Sequence, residues 1–198
     1  AVLNVLANAH FYTADYQTSV TLYNRILKLR YDLSKQNNIE STYYDLARSY
    51  LSLGRLDDAH HGFWKAITLA EKKNAPISVA YGKMGLGQVL YQQNKAEQSL
   101  EQLMAAKTLF HSQNLSLPYL TTLFYLAKAN QSLGKNEIAF NYLSKAELVA
   151  ERVELTNEQI ELYALLASMY QQKQLFEKAL ISQRKYTELF KKFSFSVS

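Results

Sequence analysis

The sequence predicts an all-α protein built as a solenoid of five helix–turn–helix repeats, with about ten antiparallel helices. One observation is a helix-favouring composition, in which only two prolines and six glycines interrupt 198 residues. A second is a leucine followed by a small residue, which recurs every 40 residues without slippage. Its five copies are Leu6-Ala7, Leu46-Ala47, Leu86-Gly87, Leu126-Ala127 and Leu166-Ala167.

Small residues also mark a second helix in each repeat. Thirteen residues after each leucine stands an alanine or a serine, at Ser19, Ala59, Ser99, Ala139 and Ala179. One small residue on each helix lets the two backbones of a repeat approach closely, and larger apolar residues fill the space around the contact. In the second repeat, apolar residues at steps of three and four predict helices over 39–53 and 56–73.

Turn residues separate the helices. Gly54 and Gly134 follow the first helices of repeats two and four, where a left-handed conformation commonly ends a helix. The same place in the other repeats is taken by Ala14, Asn94 and Gln174. Pro76 and Pro118 stand where a new helix begins, a position that tolerates proline. We predict one continuous domain over 1–198, with repeats at about 1–38, 39–76, 77–116, 117–156 and 157–194.

The order of residues within a repeat resembles the tetratricopeptide repeat (TPR). Repeat two carries the fullest match, with Leu46, Ala47, Tyr50, Gly54, Leu56, Ala59, Phe63 and Ala66. The resemblance covers essentially the whole chain and implies a right-handed α-solenoid of five TPR-like repeats. Its period is longer, because the common repeat has about 34 residues. HEAT and armadillo repeats are nearer in length and are the structural alternative, which leaves the functional interpretation unchanged.

Composition and charge exclude several functional classes. The chain has no cysteine, which excludes disulfides, thiolate metal sites and cysteine nucleophiles. His60 and His61 diverge by about 100° around a helix and form no chelating pair. We therefore predict no catalytic residues, no metal and no cofactor, and no enzymatic activity for this chain. The net charge of +5 is interleaved along the sequence, so nucleic-acid binding is not expected.

The ends of the chain indicate a fragment of a larger protein, because the first residues already read as the interior of a helix. No stretch approaches the about 20 apolar residues of a membrane span, so a membrane would be reached only through a flanking segment. An apolar tail follows the last repeat, with Leu189, Phe190, Phe193, Phe195 and Val197. The tail motivates an alternative function, self-association through the array's ends to bring attached output domains together.

In a tetratricopeptide array the first helices line a concave groove. The candidate binding residues that the resemblance places there are Asn8, Tyr12, Tyr44, Arg48, Met84, Gln88, Tyr91, Phe124 and Lys128. Aromatic residues and arginine often anchor protein interfaces, and Arg48 and Lys128 could each meet a carboxylate. We predict a protein or peptide ligand in this groove. The alternative is that Tyr44, Tyr91 and Phe124 mainly pack between first helices.

The carboxylate clamp of chaperone-binding tetratricopeptide proteins is not matched. Asn8 stands where the clamp has an asparagine. The other clamp positions in the first three repeats hold Asn4, Asp45, Tyr81 and Gly85. The long period and the apolar tail instead resemble the N-terminal sensor regions of bacterial signalling proteins, such as diguanylate cyclases with a GGDEF output domain. That resemblance implies a ligand-sensing module of such a protein, and it favours a periplasmic over a cytoplasmic location.

Two glycines inside a first helix need an explanation. Gly82 and Gly85 each cost a helix up to about 1 kcal/mol. Close packing against the neighbouring repeat would account for them. A locally soft helix, or the approach of a ligand backbone, is the other interpretation.

Overall fold

We obtained the structure as a computed structural model that describes residues 2–33, 37–153 and 157–196, and side chains over the same ranges except 157 and 193–196. The described residues form ten α-helices and confirm the predicted all-α fold. They are α1 (Val2–Tyr12), α2 (Tyr16–Asp32), α3 (Ile39–Ser52), α4 (Leu56–Lys72), α5 (Pro76–Gln92), α6 (Ala96–Ser112), α7 (Ser116–Ser132), α8 (Asn136–Ala150), α9 (Asn157–Gln172) and α10 (Phe176–Ser196). The two helices predicted in repeat two agree with α3 and α4 to within one residue.

Left-handed residues end the first helices, as the turn positions predict. Gly54 and Gly134 both have a φ of 71°. The equivalent residues of the other repeats adopt the same region without glycine, at Ala14 (61°), Asn94 (59°) and Gln174 (60°). This conformation turns the backbone so that the Arg55 N–H reaches the Tyr50 carbonyl at 2.9 Å. Carbonyls that the helix end would leave unpaired are satisfied in this way.

The helices fall into two compact units, Ala1–Leu109 and Phe110–Ser198. In the first unit, each helix from α1 to α5 packs against the next, and α3 also packs against α5. Its largest fully buried side chains include Tyr23 and Phe63, one on each of two second helices. Packing between alternate helices is what a stack of helical pairs requires, because the first helix of each repeat then lies beside the first helix of the next.

The second unit shows the same pattern. Helices α7 to α10 pack in order, and α7 also contacts α9. Leu123, Leu143 and Leu166 are fully buried in one apolar core that extends over these helices. The continuity of the two units as one domain over 1–198 stays a prediction.

The helical glycines mark close contacts between helices. A Cβ on Gly82 would lie 2.5 Å from Cγ1 of Ile67. A Cβ on Gly85 would lie 2.7 Å from Cδ1 of Phe63 and closer still to two other ring atoms. Ile67 and Phe63 both belong to α4, the helix that precedes these glycines. The interpretation of close packing against the neighbouring repeat is therefore confirmed.

Candidate functional site

Arg48, on α3, stands at the centre of a group of side chains from α1 and α3. Its guanidinium carbon lies 4.3 Å from the centre of the Phe11 ring and 5.8 Å from that of Tyr44, distances at which a ring face attracts a cation. The Tyr12 hydroxyl lies near enough to the guanidinium to raise the pKa of Arg48. Its Nη1 atom lies 3.9 Å from Oδ1 of Asp45, one turn earlier on α3. We call these five residues the Arg48 cluster.

The Arg48 cluster is partly open to solvent. The side chains of Arg48 and Asp45 are 33% and 25% exposed, and Tyr12 is 76% exposed. Phe11 and Tyr44 are half-buried. The Phe11 ring covers one face of the guanidinium. The N–H donors lie along the edge of the guanidinium, where a ligand can reach them.

The charges of the Arg48 cluster follow from its partial burial. Burial raises the pKa of the Asp45 carboxyl to about 6, and the charge of Arg48 offsets this only in part. Burial also raises the pKa of Tyr44 above its ordinary range, so the phenol is neutral. For Arg48, burial lowers the pKa, but Tyr44, Asp45 and Tyr12 outweigh it and the net change is a rise. Arg48 is therefore a permanent cation, whereas Asp45 changes charge close to neutral pH.

Asn8 and Tyr44 are held by neighbours from other helices. The hydroxyl of the buried Tyr23, on α2, donates a hydrogen bond to the Asn8 side chain. The Tyr44 ring packs 5.6 Å from the ring of Phe63 and 5.7 Å from that of Tyr81. Tyr44 thus packs between helices, as the alternative interpretation held, and at the same time borders Arg48.

The residues that sequence reasoning missed around Arg48 are Asp45 as its ionic partner, and Tyr23 and Tyr81 as supports. The spacing of three residues between Asp45 and Arg48 on one helix was the available signal. For Tyr23 and Tyr81 the sequence offered no comparable signal, because each belongs to a different helix from the residue that it touches.

The candidate residues on α5 are less accessible. Met84 is only 7% exposed and belongs to the core, whereas Gln88 and Tyr91 are half-buried. Met84 can therefore contribute packing to a binding surface but little contact area. Gln88 and Tyr91 stay predicted binding residues.

Phe124 and Lys128 form a related arrangement in the second unit. Lys128 Nζ lies 5.1 Å from the ring centre of Phe124 and 5.5 Å from that of Tyr125, and it forms an ion pair with Glu161 at 3.1 Å. Phe124 is 2% exposed, so its ring packs inside the unit. Lys128 and Phe124 occupy the same repeat positions as Arg48 and Tyr44, two residues on either side of the key leucine.

Neither a metal-binding cluster nor a membrane-crossing helix occurs in the part of the chain that the structure describes. Within it, no three His, Asp or Glu side chains are placed to hold a metal ion together. No described helix has both the length and the apolar character that are needed to cross a bilayer.

Comparison with known proteins identifies the repeat in the second unit. Residues 160–193, in α9 and α10, match the family model of the tetratricopeptide repeat. The chain therefore contains a tetratricopeptide repeat. No curated protein matches the chain.

Solved structures show the same fold over nearly all of the chain. BtubC (BKLC) from P. vanneervenii matches with a TM-score of 0.77 and 18% identity, over 97% of this chain and 80% of that one. A thermophilic TPR protein of Thermus thermophilus matches with a TM-score of 0.68 and 22% identity, over 94% and 89%. The Rap conjugation gene regulator of plasmid pLS20, solved in complex with a peptide, matches with a TM-score of 0.77 and 15% identity, over 97% and 53%.

These likenesses show that nearly all of the chain has the fold of a tetratricopeptide array. The tetratricopeptide match, a repeat typical of interaction scaffolds, agrees with the prediction that the chain is not an enzyme.

Proposed function

We propose that the chain is a non-catalytic scaffold that binds a protein or peptide, and that the Arg48 cluster is the centre of its contact surface in the first unit. The observation that carries this proposal is the partly exposed Arg48, held between aromatic rings of α1 and α3. Arginine and tyrosine dominate the binding energy of many protein interfaces, because tyrosine offers a large rigid contact area and arginine offers several charged N–H donors.

Likeness to a peptide-binding protein gives further support. The plasmid pLS20 regulator was solved with a peptide bound, and its fold matches that of nearly all of this chain. Alternating first helices of such arrays present side chains along an extended surface, which suits a peptide in an extended conformation.

We expect that replacing Arg48 and Tyr12 with alanine will weaken peptide binding by about a hundredfold, because both are anchor-type residues with exposed donors. Peptides are first selected from a displayed random library with the wild-type chain, and their Kd values are measured by fluorescence anisotropy. These two positions are preferable to Tyr44, whose ring packs on Phe63 and whose removal would disturb the core.

Arg25→Ala is the matched control, because Arg25 is an exposed arginine on the second helix α2. Its Kd should match that of the wild type. Equal affinity of the R48A/Y12A double variant and the wild type would show that the groove assignment is wrong.

We further propose that this scaffold is the ligand-sensing module of a bacterial signalling protein, with a diguanylate cyclase as one form of its output domain. This rests on the resemblance of the long repeat to such sensor regions. The full-length gene product tests it, because its flanking domains would show what the array controls. A parent protein with no output domain would contradict the proposal.

Self-association is the second candidate, and an exposed face of α10 favours it. Phe176, Leu180 and Phe190 are 67%, 52% and 53% exposed. The equivalent face of α4 packs on α5 through Phe63 and Ile67. The described residues of α10 therefore include exposed apolar side chains on the face that α4 uses for packing, and a second copy of the chain could cover them.

The composition of the α10 face differs from that of α4 at its centre. There the exposed polar residues Gln183 and Thr187 take the repeat positions of Phe63 and Ile67. The remainder of the predicted apolar tail, Phe193, Phe195 and Val197, lies outside the described side chains.

We expect a chain that self-associates through this face to become monomeric when Phe176 and Leu180 are replaced by lysine, because the charges oppose burial of the face. Light scattering at several concentrations measures the mass. Leu148→Lys, at a 67% exposed leucine on α8, is the matched control. A wild-type monomer at all concentrations would remove this candidate.

A further inference from the structure

The guanidinium of Arg48 is oriented but incompletely paired by Asp45. Arginine carries five N–H donors in a planar fork that fits the two oxygens of a carboxylate. The separation of 3.9 Å between Nη1 and Asp45 Oδ1 is too long for a hydrogen bond. Phe11 and Tyr44 flank the group at 4.3 and 5.8 Å, which limits its freedom to turn.

Asp45 therefore indicates which chemical group Arg48 attracts. It is a carboxylate near Arg48, but the short connection along one helical turn keeps it from forming the bidentate arrangement that a free carboxylate can adopt. A ligand carboxylate that approaches from solvent has no such constraint. It also brings a second negative charge next to Asp45, which must then lose its own charge or move away.

We propose that Arg48 binds a carboxylate of the peptide ligand, and that Asp45 is the internal competitor which this carboxylate displaces, with uptake of a proton by Asp45. The inference rests on the proposed function, since it names the ligand chemistry of the same site. It predicts tighter binding in mildly acidic solution than in neutral solution.

Asp45 is the group of the site whose charge changes near neutral pH, because the groups that face it keep their charge state. Arg48 and Tyr44 lie on its own helix, and Tyr23 faces it from α2. Tyr12 belongs to the cluster from α1, and Tyr81 borders the cluster from α5. Burial raises the pKa values of Tyr23, Tyr44 and Tyr81 further above neutrality. Arg48 keeps its charge throughout, so a change of pH between about 5 and 8 acts on this group of residues through Asp45.

The experiment uses two displayed peptide libraries with the full chain as bait. One library has a blocked C-terminus and equal frequencies of Asp, Glu, Asn and Gln. The other has a free C-terminal carboxylate and neither Asp nor Glu. Selection is repeated with the wild type, Arg48→Ala and Asp45→Asn. Enriched peptides, and their Glu→Gln, Asp→Asn or C-terminally amidated forms, are then measured by fluorescence anisotropy at pH 5.5 and 7.5.

The expected result is enrichment of acidic side chains from the first library or recovery of peptides from the second, which tells the two sources of carboxylate apart. Neutralising the ligand carboxylate should weaken wild-type binding roughly tenfold or more, and should have no further effect on Arg48→Ala. Binding to the wild type should weaken roughly tenfold from pH 5.5 to 7.5, because Asp45 must take up a proton. Asp45→Asn should bind more tightly at pH 7.5 and lose this dependence.

Peptides that bind through the cluster without requiring a carboxylate would overturn the inference and leave the proposed function standing. So would acidic peptides whose affinity is the same for Asp45→Asn and the wild type at both pH values. If neither the wild type nor any variant selects a peptide, the proposed function and the inference are overturned together. Circular dichroism of each variant shows that it is folded before its binding is compared.

Discussion

Replacing Gly85 with leucine is expected to destabilise the first unit by about 3 kcal/mol or more. The Cβ alone would overlap the ring of Phe63, which is fully buried. Leucine has a higher helix propensity than glycine by roughly 1 kcal/mol, but this gain is too small to offset the overpacking. The midpoint of urea unfolding, followed by circular dichroism, measures the loss.

A compensating variant makes this prediction specific. Leu165 of the fifth repeat takes the position of Gly85, and Leu143 of the fourth repeat takes that of Phe63. Leu143 is buried in the core of the second unit, and Leu165 packs against that core. A smaller side chain on the second helix of one repeat is thus paired with a larger side chain on the first helix of the following repeat. We expect Phe63→Leu to recover part of the stability that Gly85→Leu loses, with a favourable coupling in a double-mutant cycle. If the two substitutions lowered the free energy of unfolding additively in the double variant, the proposed contact between residues 85 and 63 would be contradicted.

Asp45→Asn is expected to stabilise the protein by about 1–2 kcal/mol at pH 7.5, and this gain should vanish toward pH 4. Burial raises the pKa of Asp45 from 3.8 to about 6, which corresponds to at most roughly 3 kcal/mol of destabilisation when the carboxylate is charged. This pKa already includes the attraction of Arg48, and a smaller gain is expected because solvent around the partly exposed carboxylate screens its charge. Between these two pKa values the folded state binds more protons than the unfolded state, so the contribution of Asp45 to stability falls as pH rises from about 4 to above 6.

The difference between the variant and the wild type isolates this effect from the other carboxylates of the chain. Urea unfolding of both proteins at pH 4.5, 5.5, 6.5 and 7.5 measures it. Asp58→Asn serves as the control, because Asp58 is an exposed partner of Arg55 and its loss should destabilise by at most about 1 kcal/mol. A constant difference between Asp45→Asn and the wild type at all four pH values would contradict the proposed environment of Asp45.

The proposed carboxylate site would connect stability and binding through Asp45. A charged Asp45 that is destabilising in the free protein is retained beside a cation with unused donors. Active and binding sites often keep such strained groups, because the ligand relieves the strain when it binds. The pH dependence of stability concerns the free protein, so it can be tested before any ligand is known.

Much of the fold was predictable from the sequence because helices and their turns depend on residues near one another in the chain. The 40-residue period located the turn residues Ala14, Asn94 and Gln174, although none of them is glycine. Gly82 and Gly85 were recognised as unusual for a helix, but the choice between close packing and a soft helix needed the positions of Ile67 and Phe63.

The candidate site was less predictable. Periodicity placed Tyr12, Tyr44 and Arg48 on the first helices, and the structure brings these three together. The tetratricopeptide resemblance placed Met84 and Phe124 in the groove, although both are buried. A repeat position defines the direction of a side chain from its helix axis, but its exposure depends on how closely the neighbouring helix packs.

The sequence by itself determined the helical class, the repeat period, the turns and the face on which Arg48 lies, because each is a property of local conformation and spacing. Only the tertiary structure decided that Phe11 covers the guanidinium, that Asp45 is held near it at partial burial, and that Phe63 fills the space beside Gly85. Distances and burial of this kind arise when helices pack against one another, and no single helix contains them.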